Sequence, residues 1–327
     1  MSTRAPRSAH EPVGEPADGA VAADDAARSD DVAPADGAAG GDLLLTGRDI
    51  RELAEAAGIR PSKQRGQNFV MDPNTVRTIV ARAGTGAGQA VLEVGPGLGS
   101  LTLGLLESGA DVVAIELDRG LAELLPLTLR ARGVDEERYR LVHADALRVT
   151  ELPSLPRTGT PSTLVANLPY NVATPILLTA FERFDSLRTA LVMVQSEVVD
   201  RLTAGPGSRV YGGPSVKTAW YGRAVHAGRI SRQVFWPVPN VDSALVELVR
   251  HDHPLGTAAE RDRVFAIVDA AFAQRRKTLR AALAGWAGGP ARSEQILRAA
   301  GIDPGARGET LGIDEFRAIA RASEEAA

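Results

Sequence analysis

Apolar residues in this chain first recur at helical spacing, then fall into short β-rich runs alternating with helices, and finally return to helical spacing alone. Ile50, Leu53, Ala54 and Ala57 share one face of a helix that Thr46 caps and Gly58 ends. A second helix is predicted over 73–83. Strands are then predicted over 90–94, 111–116, 140–143, 163–166 and 189–194. Helices are predicted between them over 98–108, from 118 to about 130, and over 174–183. This succession is the signature of a mostly parallel, doubly wound sheet covered on both faces, an α/β fold. Two later strand-like runs, 215–224 and 243–250, predict an antiparallel pair at one sheet edge. From 251 onward the strands stop, and helices are predicted over 261–283, 293–300 and 313–322. Gly288-Gly289-Pro290 and Asp303-Pro304-Gly305 punctuate them. The chain thus divides into a tail over 1–42, an α/β domain over 43–250 and a small all-α domain over 251–327.

Composition changes this picture at the N-terminus. Residues 1–42 are rich in Ala, Asp, Gly and Pro, with too few large apolar side chains to offset the entropy of ordering, and are expected to be disordered. They hold nine acidic side chains and three Arg, so the overall charge of −4 hides a body of +2. A nucleic-acid partner therefore stays open. There are no cysteines, which excludes disulfides, thiolate metal sites and a cysteine nucleophile. The five His show no metal-ligand spacing, so no metal is expected. No apolar run reaches the length of a membrane helix, which predicts a cytoplasmic protein without membrane contact.

The first strand of the alternating region runs into Glu93-Val94-Gly95-Pro96-Gly97-Leu98-Gly99, a Gly-rich turn at a helix start. Such a turn lets a ligand approach the backbone, and the helix N-terminus offers N–H groups. Glu116 ends the second strand, 19 residues after Gly97, where a carboxylate accepts both hydroxyls of a ribose. Asp145, just past the third strand, is placed to bind the exocyclic amino group of an adenine. A dinucleotide oxidoreductase is the competing reading. Its fingerprint wants Gly or Ala where Ser100 stands, and the third glycine comes one position early, at Gly99. Glu93 beside the loop also disfavours a pyrophosphate and suits a cationic or zwitterionic ligand. S-adenosylmethionine carries both a sulfonium and an ammonium, so a methyltransferase is the preferred reading.

In a doubly wound sheet the ligand lies across the carboxyl ends of the strands, where the first and fourth are neighbours. The fourth strand leads into Asn167-Leu168-Pro169-Tyr170. The Asn167 side-chain oxygen and a backbone carbonyl near Pro169 can accept the two N–H bonds of an adenine N6 amine. They would draw the nitrogen towards tetrahedral geometry and stabilise the charge that develops on it. Tyr170 would stack on the base, worth ~1–3 kcal/mol. A paired adenine hides its amino group, so the target must be unpaired or flipped out.

These residues resemble those of the rRNA adenine N6-dimethyltransferases. The likeness rests on Gln67-Asn68-Phe69, the 93–99 loop, Glu116, Asp145 and Asn167-Leu168-Pro169-Tyr170-Asn171. Two later stretches extend it: 234–244, containing Phe235-Trp236-Pro237-Val238-Pro239, and 272–280, containing Arg275-Arg276-Lys277. Leu168 favours the branch acting on the small subunit over the macrolide-resistance methylases of the large subunit. The resemblance implies a Rossmann-like class I S-adenosylmethionine-dependent domain and dimethylation of two adjacent adenosines. These lie in the 3′-terminal hairpin loop of 16S rRNA, within an immature small subunit. It implies that Asn68 and Val70 touch the cofactor beside Gly95, Gly97, Glu116, Asp145 and Asn167. Asn167, Pro169 and Tyr170 carry the chemistry. Phe235, with Pro237 and Pro239, is expected to wall the base pocket opposite Tyr170. Arg275, Arg276, Lys277 and Arg280 are expected on one helix, binding phosphates. A monomer is expected, and a non-catalytic assembly or transcription factor on the same scaffold is the rival of another class.

Overall fold

The computed structural model describes residues 43–59 and 67–325. The tail and the basic stretch 60–66 lie outside the described residues.

The chain enters through α1 (Gly47–Ala56), where Thr46 and Asp49 cap each other reciprocally. A two-residue strand β1 (Phe69–Val70) precedes α2 (Pro73–Ala83), which Asp72 caps and left-handed Gly84 closes. The alternating region follows as β2 (Ala90–Val94), α3 (Ser100–Glu107), β3 (Asp111–Glu116), α4 (Arg119–Ala131), β4 (Tyr139–His143), β5 (Thr163–Asn167), α5 (Ala173–Arg183) and β6 (Thr189–Gln195). Then come α6 (Ser196–Thr203), α7 (Gly213–Tyr221), β7 (Gly222–Ile230), β8 (Phe235–Trp236) and β9 (Ser243–Arg250). The chain ends in α8 (Ala258–Ala273), the short α9 (Leu279–Ala282) and α10 (Ala284–Ala287), α11 (Pro290–Ala299) and α12 (Ile313–Glu325).

Seven strands form one sheet in the order β4-β3-β2-β5-β6-β9-β7. The first five are parallel, while β9 runs antiparallel to both β6 and β7. Chain order reverses between β2 and β5, which places the switch-point crevice at their carboxyl ends. Alternate side chains go to opposite faces. Leu92, Val113, Leu164, Val192 and Val246 belong to one core, and Val91, Val112, Val165, Leu191 and Leu245 to the other. The second core is closed by α1 to α4, through residues such as Ile50, Ile79 and Leu125. The first takes in α5 and α7 together with Ile267 of α8 and Phe316 of α12. The C-terminal helices therefore share a core with the sheet.

Two expectations fail here. Residues 215–221, rich in β-branched and aromatic side chains, are helical in α7, and the edge strand β7 begins only at Gly222. Pro214 in the first turn and burial of Val216, Trp220 and Tyr221 against α8 and α5 override strand propensity. The helix expected over 261–283 stops at Ala273. Leu279, fully buried, donates its backbone N–H to the Ala306 carbonyl at 2.7 Å, and Arg280 donates to Pro304 at 3.1 Å. Docking on that loop bends the chain out of α8.

Candidate functional site

The β2–α3 loop is built from three glycines at positive φ: Gly95 at 74°, Gly97 at 59° and Gly99 at 96°. A side chain at Gly97 would also collide, since its Cβ would lie 2.9 Å from the Phe69 ring. Phe69 in turn stacks on Trp236, and β1 pairs antiparallel with β8. This small ribbon lays residues 67–70 over the crevice.

Glu116, at the end of β3, is buried and reaches across to the loop. Its Oε2 accepts the Gly97 N–H at 3.1 Å and its Oε1 the Asp118 N–H at 2.8 Å. Burial pushes this carboxyl up, while the same two N–H groups pull it back. Each oxygen keeps acceptor capacity for a further donor. Glu93, at the end of β2, is 1% exposed and accepts the Thr102 hydroxyl at 2.6 Å. Burial raises its carboxyl to about 8, the Thr102 bond acting against the shift and the Glu116 charge adding to it.

Glu93, Glu116 and Asp118 line a cavity of about 750 Å³, closed on the other side by Asn68, Val70 and Asn167. Among the described residues its one cationic lining side chain, Arg119, is paired with Glu123 at 2.7 Å. The donor set is therefore acidic and suits a cationic ligand with vicinal hydroxyls better than a phosphate. Of the cofactor residues expected from the sequence, Asn68, Val70, Gly95, Gly97, Glu116 and Asn167 line this cavity. Asp145 is not among its lining residues. Its Oδ1 accepts the Leu147 N–H at 2.9 Å, and its other oxygen faces Arg148 at 3.8 Å. Leu117 joins the lining and is 67% exposed. The sequence reading passed over it, although its place directly after Glu116 was a usable signal.

Asn167 stands at the carboxyl end of β5. Its Nδ2 donates to the Asn68 carbonyl at 2.8 Å, which leaves Oδ1 as the atom available to a ligand. Pro169 lines the same cavity. Tyr170 opens instead on a second cavity of about 450 Å³, which shares Gln67, Asn68 and Asn171 with the first. Its hydroxyl is hydrogen-bonded to the buried Ser243 at 2.8 Å, and burial raises its pKa. Pro237 and Pro239 line this second cavity, but Phe235 does not. Phe235 is 0% exposed, because in β8 it pairs with Val70 and packs into the core beneath the ribbon. Its expected place on the pocket wall is corrected accordingly.

The basic cluster is likewise rearranged. Arg275, Arg276 and Lys277 lie in the turn after α8, and Arg280 lies on α9. Arg275 bonds Glu309 at 2.9 Å and the Arg209 carbonyl at 2.7 Å, so it serves the fold. Arg280 pairs with Glu294 at 2.8 Å. Arg276 and Lys277 are exposed. Among the described residues no group of His, Asp or Glu could hold a metal ion, and no helix is long and apolar enough to cross a membrane.

A doubly wound sheet with an antiparallel edge, an acidic cofactor crevice and an Asn-Leu-Pro-Tyr corner between two joined cavities define a Rossmann-like class I methyltransferase. Comparison with known proteins narrows the class. The pattern of the family described as "Ribosomal RNA adenine dimethylase" matches residues 60–323, and the chain belongs to that family. The "Ribosomal RNA small subunit methyltransferase A" of Streptomyces griseus is 60% identical over 285 residues, 87% of this chain and 97% of that protein. Its counterpart in Kineococcus radiotolerans is 60% identical over 277 residues, 85% of this chain and 91% of that protein. Among solved structures, a dimethyladenosine transferase from Plasmodium falciparum superposes with a TM-score of 0.64 at 20% identity, covering 77% of this chain and 95% of that one. The 23S rRNA methyltransferase ErmE gives 0.56 at 27% identity, covering 78% and 99%.

Proposed function

We propose that this chain transfers methyl groups from S-adenosylmethionine to the N6 amines of two adjacent adenosines in the 3′-terminal hairpin loop of 16S rRNA, acting as a monomer on immature small subunits in the cytoplasm. The observation that carries the reading is the Asn167–Asn68 bond, which leaves one amide oxygen to the first cavity beside Asn68, a residue that lines both cavities. Identity of 60% to proteins named small subunit methyltransferases supports the choice of subunit.

The cofactor supplies an electrophilic methyl on a sulfonium, and the acidic crevice fits its charge. Glu116 would hold the ribose hydroxyls, and Leu117 would pack on the adenine face. In the second cavity Tyr170 would stack on the target base, its ring held by Ser243. Asn167 Oδ1 and a carbonyl near Pro169 would accept the amine N–H bonds and stabilise the cation as the N–CH₃ bond forms and the S–CH₃ bond breaks, its electron pair leaving with the neutral thioether. The ammonium proton would pass along these acceptors to water. No separate general base is needed, because the product ammonium is strongly acidic. The decisive experiment supplies labelled cofactor with purified small and large subunits lacking the modification. Label in dimethyladenosine of 16S rRNA is expected, and label confined to 23S rRNA would refute the reading.

Two further outcomes test the assignments. Glu116→Ala removes a charged acceptor and its two hydrogen bonds to the loop backbone, so S-adenosylmethionine affinity by calorimetry should fall roughly 10- to 100-fold. Unchanged affinity would remove Glu116 from the site. The helical region is proposed to hold RNA through the exposed Arg276 and Lys277. Replacing both by Ala should weaken subunit binding and lower the slope of log affinity against log salt by about 2. An unaltered slope would assign these cations to solvent.

A further inference from the structure

The second cavity is wider in chemistry than one base requires. Beyond Tyr170 and the prolines its rim carries Val238 and Val241, which are 54% and 42% exposed. Only six large apolar side chains are exposed among the described residues, and three of them, Leu117, Val238 and Val241, lie at the two cavities. Leu117 sits where the reading above places an adenine face, so exposed aliphatic carbon here marks ligand contact rather than chance. The five remaining lining residues, Gln67, Asn68, Asn171, Gln195 and Asn240, are all carboxamides, and the side chains of Asn171, Gln195 and Asn240 make no hydrogen bond among the described residues. The two cavities also divide by charge. The first holds Glu93, Glu116, Asp118 and Arg119, whereas among the described residues no Asp, Glu, Lys, Arg or His lines the second. A recess of aliphatic faces and amides, with no charged side chain among the described lining, suits a nucleobase better than a phosphate.

We propose that the Val238–Val241 rim is a binding site for a second nucleobase, the one next to the target adenosine in the same RNA strand. The proposal rests on the RNA-adenine reading of Tyr170 and Asn167. The flanking base lays one face on the two valines, and Asn171, Gln195 and Asn240 meet its hydrogen-bonding edge. Because the rim continues the target pocket, holding the neighbour sets the register in which the target enters. When one of two adjacent adenosines is at Asn167, the other occupies the rim.

The test is a cycle between protein and RNA. Small subunits are reassembled with 16S rRNA that is either intact or abasic at the nucleotide flanking the target. Methyl transfer is then measured with the unaltered protein and with the Val238→Ser, Val241→Ser double variant. Removing the flanking base is expected to slow the unaltered protein about tenfold. For the double variant the same removal should cost less than about twofold, because the apolar contact is already gone. Both positions are exposed, and S-adenosylhomocysteine affinity by calorimetry checks that the variant is folded. Val238→Leu with Val241→Leu keeps the apolar face and should restore the tenfold penalty. An equal penalty in unaltered protein and serine variant, large or small, would overturn the proposal. Absence of methyl transfer to intact subunits by the unaltered protein would instead overturn the functional reading beneath it.

Discussion

Asn167→Ala is expected to bind S-adenosylmethionine and small subunits nearly as well as the parent while its single-turnover methylation rate falls about 10²- to 10³-fold. The size follows from where the amide acts. An acceptor held in place before the reaction stabilises charge that appears only as the N–CH₃ bond forms, so its loss falls on the rate and not on affinity. Its Nδ2 bond to the Asn68 carbonyl prevents the amide from turning its nitrogen to the substrate, a defect that would repel the developing cation. The variant also removes that hydrogen bond, which should lower stability by about 0.5–1.5 kcal/mol. Melting with and without cofactor separates this cost from catalysis. A rate within threefold of the parent at saturating substrates would remove Asn167 from the chemistry.

Glu93→Gln is expected to remove a pH dependence of stability. The folded carboxyl titrates at about 8 against an ordinary 4.5, so the folded state binds the extra proton between those values. Stability from this group is full below pH 4.5 and declines as pH rises through 8, because ionising the buried carboxyl disfavours the fold. The ligand-free parent should therefore lose stability across this window, by an amount on the order of 5 kcal/mol at most. The glutamine variant keeps an acceptor for the Thr102 hydroxyl, carries no charge and should be the more stable form at pH 8. Denaturant midpoints at pH 5 and pH 8 check this, and a parent with equal midpoints would refute it. A cationic ligand nearby favours the ionised form, so cofactor affinity should rise with pH in the parent and stay flat in the variant.

Much of the fold was legible because its signals are local. Strands β2 and β3 and helix α2 lie where alternation, Pro73 and Gly84 place them, each element carrying its own period and caps. The cofactor crevice was legible for the same reason. Tight turns need glycine at positive φ, and Glu116 at the end of the neighbouring strand reaches back to the Gly97 N–H of that turn. Phe235 was misplaced because an aromatic beside two prolines reads the same whether it lines a pocket or plugs a core. The basic run 275–280 was misplaced because its helical break is written at Pro304 and Ala306, some thirty residues away.

The sequence by itself determined the parallel α/β order, the Gly-rich loop, the carboxylate at the end of β3 and the Asn-Leu-Pro-Tyr corner, since each depends on residues within a few positions of one another. Only the tertiary structure decided which atom of Asn167 faces the site, that Glu93 is buried enough to hold its proton, and that Val238 and Val241 share a neutral recess with Tyr170. Those outcomes depend on desolvation and on partners brought together from as far apart as Asn68, Asn167 and Val241, and no local pattern encodes such distances.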